Sequence, residues 1–267
     1  MKILKKMANN KDKQAGRLAM LDIIRGFALL NMIFYHLLYD LVYIFGYRLS
    51  WFSIRQAFAW QQMICSTFIF VAGISFTLSK KPLKNGMILM VCAIILNLAT
   101  FLVIPDEFIV FGILHFLAAA IFLTFLLRSA LKLIPAQIGL PIAVFLFILF
   151  KNLPSGYLSF FSLFKFALSP SLFESSYLFF LGLPNHNFAS ADYFPIIPWW
   201  FLYLAGFYGM GLFSSLSKKP RHQHNTKGKL RQVLSSSLGL MGRHSLLIYM
   251  LHQPIIYGLL FLVLFFS

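Results

Sequence analysis

Seven apolar runs, each about as long as a bilayer core demands, govern what this chain can fold into. They cover residues 18–45, 56–79, 85–103, 108–127, 133–150, 194–216 and 245–266. About 17–25 apolar residues carry a helix across the hydrocarbon layer, where each backbone polar group must be satisfied inside its own helix. The expected class is therefore all-α: a polytopic transmembrane helical bundle of about seven spans. The first run is long enough to tilt or to extend past the bilayer. Composition agrees, because 60% of the 267 residues are hydrophobic and 11% are charged. A soluble domain carries about 25% charged residues and needs them for its polar skin.

Net charge is +16, from 23 Lys+Arg against seven acids. In a soluble chain that balance would suggest nucleic acid; here the positions of the charges argue for topology instead. With the N-terminus in the cytoplasm, 18 of the 23 basic residues fall in cytoplasmic segments. Four (Arg48, Arg55, Lys151, Lys165) fall outside, and Arg25 lies within the first run. That bias is the positive-inside pattern. The expectation is a multi-pass protein of the cell (plasma or inner) membrane, with membrane lipid as a partner and no nucleic acid. Residues 1–17 read as a cytoplasmic basic tail and 18–267 as a single transmembrane domain. The N-terminal stretch lacks a short apolar core with a small-residue cleavage site, so the first helix is expected to serve as its own membrane signal.

Cys65 and Cys92 both sit in apolar runs and read as small core hydrophobes, with no disulfide framework or CxxC metal pattern. His222 and His224, on a basic linker, are too weak a pair for a metal site. Residues 152–193 are apolar in pieces but broken by Pro154, Pro170 and Pro184. A single crossing there would turn the following basic loop outward, so this stretch is expected to be a re-entrant or interfacial segment roofing the outer face.

Ionisable groups inside a span cost about 2.5–3.5 kcal/mol each on insertion scales, which makes each a functional candidate. The first run, LDIIRGFALLNMIFYHLLYD, holds four: Asp22, Arg25, His36 and Asp40. At ~100° per residue, eleven residues return within ~20° of three whole turns, so Arg25 and His36 share a face, roughly 16 Å apart. Asp22 can pair with Arg25, and Asp40 can support His36, at helical spacings of three and four. Further polar groups gather on the expected outer side: Asp106, Glu107, His115, Asp192 and Tyr193. With His36 and Asp40 they could line one outward-facing pocket. Trp199 and Trp200 read as interfacial belt residues. The last run holds His252 and is opened by Arg243 and His244.

LDIIRGFALLNMIFYH resembles the first-helix signature of transmembrane acyltransferases, an Arg and a His separated by ten residues. FIFVAGIS, FGILHFLAAA, ADYFPIIPWWFLYLAG and GRHSLLIYMLHQP resemble the bacterial relatives of the heparan-alpha-glucosaminide N-acetyltransferase catalytic domain, over roughly residues 17–260. The resemblance implies acetyl transfer across a membrane, from cytoplasmic acetyl-CoA to an amine or hydroxyl of an extracytoplasmic sugar or envelope glycan. It implies that Arg25 holds a CoA phosphate and that His36 is the catalytic histidine; Asp40 is expected to act with His36, and Asp22 and Arg243 to join Arg25 in binding the donor. In the lysosomal enzyme the catalytic histidine falls in the loop after this helix. The corresponding loop here, GYRLSWFSIR, has no histidine, which leaves His115 as a rival. An imidazole backed by a carboxylate suits either proton abstraction from an acceptor or attack on the thioester.

Two other classes remain. A transporter or flippase would use His36, Asp40, His115 and Asp192 as a proton relay, but the chain has no internal repeat or paired interrupted helices. A non-catalytic scaffold gives no reason for a histidine and a carboxylate inside one span. Acetyl-CoA binding separates the enzyme from both. A homo-oligomer is left open.

Overall fold

The computed structural model describes residues 2–52, 54–103, 105, 108–161, 163–216 and 229–265. The side chains of residues 2–18, 212–216, 229–234 and 265 are outside that description, as are Asp106, Glu107, His222 and His224 altogether.

Each apolar run forms a helix. α1 is continuous over Lys2–Tyr39 and ends in a π-helical turn, Asp40–Ile44. The turn closes with Phe45 N–H donating to the Asp40 carbonyl at 2.9 Å. Gly46, at φ +75°, then leads the chain out of the helix in a conformation that favours glycine. α2 is Ile54–Leu78. α3 is Pro82–Val103, opened by a proline at the position where a missing N–H costs nothing. α4 (Ile113–Leu126) and the short α5 (Arg128–Leu131) follow. α6 is Ala136–Phe150 and α7 is Ile196–Leu216. The last two are α8 (Lys229–Arg243) and α9 (Ser245–Phe265).

Among the described residues, five stretches are long and apolar enough to cross a membrane: Ala19–Ile44, Ile54–Leu78, Pro82–Val103, Ala136–Ser155 and Ser245–Leu264. α4 is a shorter apolar helix of 14 residues. The expected run 108–127 therefore overstated it, because residues 108–112 pair with residues 190–194 as extended chain. Outward side chains of α3 and α9, such as Leu98, Leu102, Leu259 and Val263, are exposed and apolar. Lipid covers such surface at no cost. This is a helical, multi-pass membrane protein.

The all-α expectation needs one amendment. Residues 152–193 hold 3-10 turns and an antiparallel hairpin, β1 (Tyr157–Phe160) with β2 (Phe164–Ala167). Two apolar alternating segments around a short turn favour a hairpin, and the prolines exclude a long helix. Among its described residues the segment has no α-helix. α8 is a helix where the sequence reading had placed a linker and the approach to the last span.

The chain forms two compact units, residues 1–71 with 221–267, and residues 72–220. In the first, α1 packs on α8 and α9. Leu29, Met32, Tyr35, Phe52, Ala57 and Ile64 form its buried core. The α1–α8 crossing is backbone on backbone. A Cβ on Gly26 would fall 1.9 Å from the Leu238 carbonyl oxygen, and one on Gly242 would fall 1.8 Å from that of Asp22. In the second unit α3 packs on α4 and α6 on α7. The Tyr208 hydroxyl donates to the Leu131 carbonyl at 3.0 Å, and Gly139 lies flat on the Tyr208 ring. Trp199 is 6% exposed, packed between Phe194 and Phe147. Trp200 donates to the buried Thr124 hydroxyl at 3.0 Å. Trp199 is thus packed in the interior, and Trp200 is half-buried against α4.

Candidate functional site

Within the first unit, α1 presents His36 and Asp40 one turn apart, and α9 answers with His252 and Gln253. The His36 and His252 rings meet edge to face with centroids 4.8 Å apart. The Gln253 side-chain amide donates to both Asp40 carboxylate oxygens, at 3.0 and 3.2 Å. The carboxylate expected to support His36 thus accepts from α9, because α9 brings an amide directly over it. Asp40 is fully buried and opens the π turn. Such turns occur mostly as local bulges at functional positions.

Aromatic side chains wall this centre. Tyr35 is buried and meets the edge of His36 at 5.2 Å, with Trp60 at 6.0 Å and Phe52 at 6.2 Å. Trp60 is held in turn by Asn31, whose side-chain oxygen accepts its N–H at 3.2 Å.

Three polar atoms here are buried without a hydrogen-bond partner: Nδ1 of His36, Nε2 of His252 and Oε1 of Gln253. Most buried polar atoms in native proteins have partners, and an unsatisfied one costs about 1–3 kcal/mol. His36 and His252 thus form a buried pair of rings with unpartnered nitrogens, suited to a ligand's hydrogen-bonding groups.

At the other end of the apolar part of α1, Arg25 donates to Asp22 at 2.8 Å, as the spacing predicts. Gly242 packs on the backbone of Asp22, so Arg243 stands at the same α1–α8 crossing. Its side chain is exposed and bonds the Gly239 carbonyl at 3.3 Å. Asp22 and Arg25 are thus joined directly, and Arg243 follows the glycine that packs on Asp22.

The second unit holds the rival residues. The Asp192 carboxylate accepts the Ile113 N–H at 2.9 Å, capping α4 from a distant part of the chain. Its N-cap residue, Gly112, offers no side chain, and a Cβ there would strike Asp192 Oδ2 at 2.5 Å. Burial pushes the Asp192 carboxyl up to about 6, with the Ile113 N–H pulling the other way. Burial also raises the Tyr193 phenol, whose hydroxyl donates to the Phe179 carbonyl. His115 lies just inside α4, stacked on Phe111 with centroids 5.8 Å apart. Among the described residues no cluster of three or more His, Cys, Asp or Glu is placed to hold a metal ion.

Sequence reasoning noted His252 without giving it a role, and overlooked Gln253. An ionisable residue inside an apolar span was the available signal. Its pairing with His36 depends on the relative rotation of two helices more than 200 residues apart, which no local spacing encodes.

No characterised protein and no solved structure matches the chain. The sequence profile of the family described as "Heparan-alpha-glucosaminide N-acetyltransferase, catalytic" matches residues 17–254. That stretch takes in Asp22, Arg25, the His36–His252 centre, α4 and Asp192, and on it the chain belongs to the heparan-alpha-glucosaminide N-acetyltransferase catalytic-domain family.

Proposed function

We propose that this membrane acetyltransferase-family protein takes an acetyl group from acetyl-CoA on the cytoplasmic side. It passes the group to an amine or hydroxyl of a sugar or envelope glycan on the other side. The observation that carries this reading is the His36–His252 centre, two imidazoles with partnerless buried nitrogens inside membrane-spanning helices. Family membership supports the reaction class, and the distribution of basic residues supports the direction.

Seven helices cross the cell membrane, with the N-terminus in the cytoplasm and the C-terminus outside. α4, about 21 Å long, is the shortest, and the extended residues 108–112 lengthen its path. Arg25 then lies toward the cytoplasm, where with Arg243 it meets the CoA phosphates through charge-assisted hydrogen bonds. Asp22 orients the Arg25 guanidinium. His36, further along α1, meets the thioester. The Gln253–Asp40 bond fixes the π turn behind it. The acceptor reaches this centre from the outer half of the helix.

The reaction needs a group to take the acceptor's proton and surroundings that tolerate the tetrahedral oxyanion. A transporter that merely relayed protons gives no reason to bind acetyl-CoA. Purified protein in detergent tests this directly. Radiolabelled acetyl-CoA should bind, and its acetyl group should appear on glucosamine. Absence of both would leave the transporter as the better account.

A further inference from the structure

We infer that His252, rather than His36, is the base that receives the acceptor's proton; this rests on the acetyltransferase reading above.

The tautomer of His252 is fixed by its surroundings. Its Nδ1 lies 2.7 Å from the Tyr249 carbonyl oxygen. A carbonyl only accepts, so Nδ1 carries the hydrogen. In the neutral ring Nε2 is then the lone-pair nitrogen. That same Nε2 is buried and unpartnered. A backbone carbonyl behind an imidazole also orients the ring and strengthens it as a base. His252 Nε2 is therefore a buried acceptor. An acceptor calls for a ligand that donates, which a neutral amine or hydroxyl does and a thioester carbonyl does not. His36, 4.8 Å away ring to ring, is left to face the acyl group.

The step balances as follows. The acceptor nitrogen's lone pair forms the new C–N bond to the thioester carbonyl carbon. Its N–H proton passes to His252 Nε2. The tetrahedral adduct collapses, the C–S bond breaks, and the electron pair leaves on sulfur. The thiolate takes the proton back from His252 and departs as the thiol.

The test uses full-length protein in detergent, acetyl-CoA as donor, and glucosamine or hydroxylamine as acceptor, read by thiol release. His252→Gln should bind acetyl-CoA within about twofold of wild type and keep its KM. Its kcat should fall at least 100-fold, the usual contribution of a general base. His252→Ala should show the same loss, with part of the activity restored by added imidazole. A His252→Gln protein that turns over within threefold of wild type overturns the assignment. So does a loss of turnover matched by loss of acetyl-CoA binding, the mark of a collapsed site. Wild-type protein that releases no thiol with either acceptor contradicts the acetyltransferase reading itself, and the His252 assignment falls with it.

Discussion

At Arg25 a structural and a ligand-binding role meet. Its bond to Asp22 is a helical i,i+3 pair with both side chains mostly buried, so removing Arg25 leaves a buried carboxylate short of a partner. Arg25→Ala should therefore lower the melting temperature while weakening acetyl-CoA about 10-fold or more in protein that still folds. Arg25→Lys should recover part of the affinity, since a bidentate fork becomes a point charge. Titration of acetyl-CoA into each variant checks this, and unchanged affinity in folded Arg25→Ala would leave only the ion pair. Asp192 gives a second residue-level prediction. Its carboxyl is raised to about 6 in the fold, chiefly by burial, against an ordinary 3.8. The folded state thus holds the proton more tightly than the unfolded chain does. This group's contribution to stability is fully present below about pH 4 and is lost as pH rises through about 6. Thermal melting between pH 4 and 7 should show that decline, and Asp192→Asn should flatten it. A decline that persists in the Asn variant would assign it to other groups.

The elements depend on a few places where backbone meets backbone. Gly26 and Gly242 let α1 and α8 touch, and Gly73 lies equally close to the Tyr203 carbonyl, where a Cβ would come within 1.9 Å. Gly242→Ala must push the helices apart, at a cost of about 1–3 kcal/mol typical of overpacking. Gly258, with nothing within 4 Å of its Cβ position, should accept alanine with no loss. Equal melting temperatures for the two variants would contradict the α1–α8 crossing. The helices themselves were legible because length and apolarity fix a membrane helix with little help from its neighbours. α8 was hidden by its charges and its three serines in a row, which read as solvated linker until a partner helix supplies small-residue packing. The hairpin of residues 157–167 was hidden likewise, since apolar fragments between prolines do not distinguish a strand from an interfacial loop. Asp22 with Arg25 was readable because both lie on one helix. His36 with His252, and Asp40 with Gln253, were not readable as pairs because each joins helices from opposite ends of the chain.

At the scale of the whole molecule, the proposed seven crossings and cytoplasmic N-terminus predict that reporter fusions after Lys84 and after Arg231 both read cytoplasmic. An external signal at Arg231 would require residues 152–193 to cross, against their turns and hairpin. The proposed topology would set donor and acceptor on opposite sides, with the α1–α9 centre between them. The most direct measurement of that account is acetyl transfer by His36→Ala in folded, detergent-purified protein, alongside acetyl-CoA binding. The predicted result is binding close to wild type with transfer to glucosamine reduced at least 100-fold, the usual cost of removing a group that stabilises the acyl oxyanion, and a milder loss for Asp40→Asn. Transfer near the wild-type rate in His36→Ala, with turnover abolished instead by His115→Ala, would place the chemistry in the other unit and contradict the account.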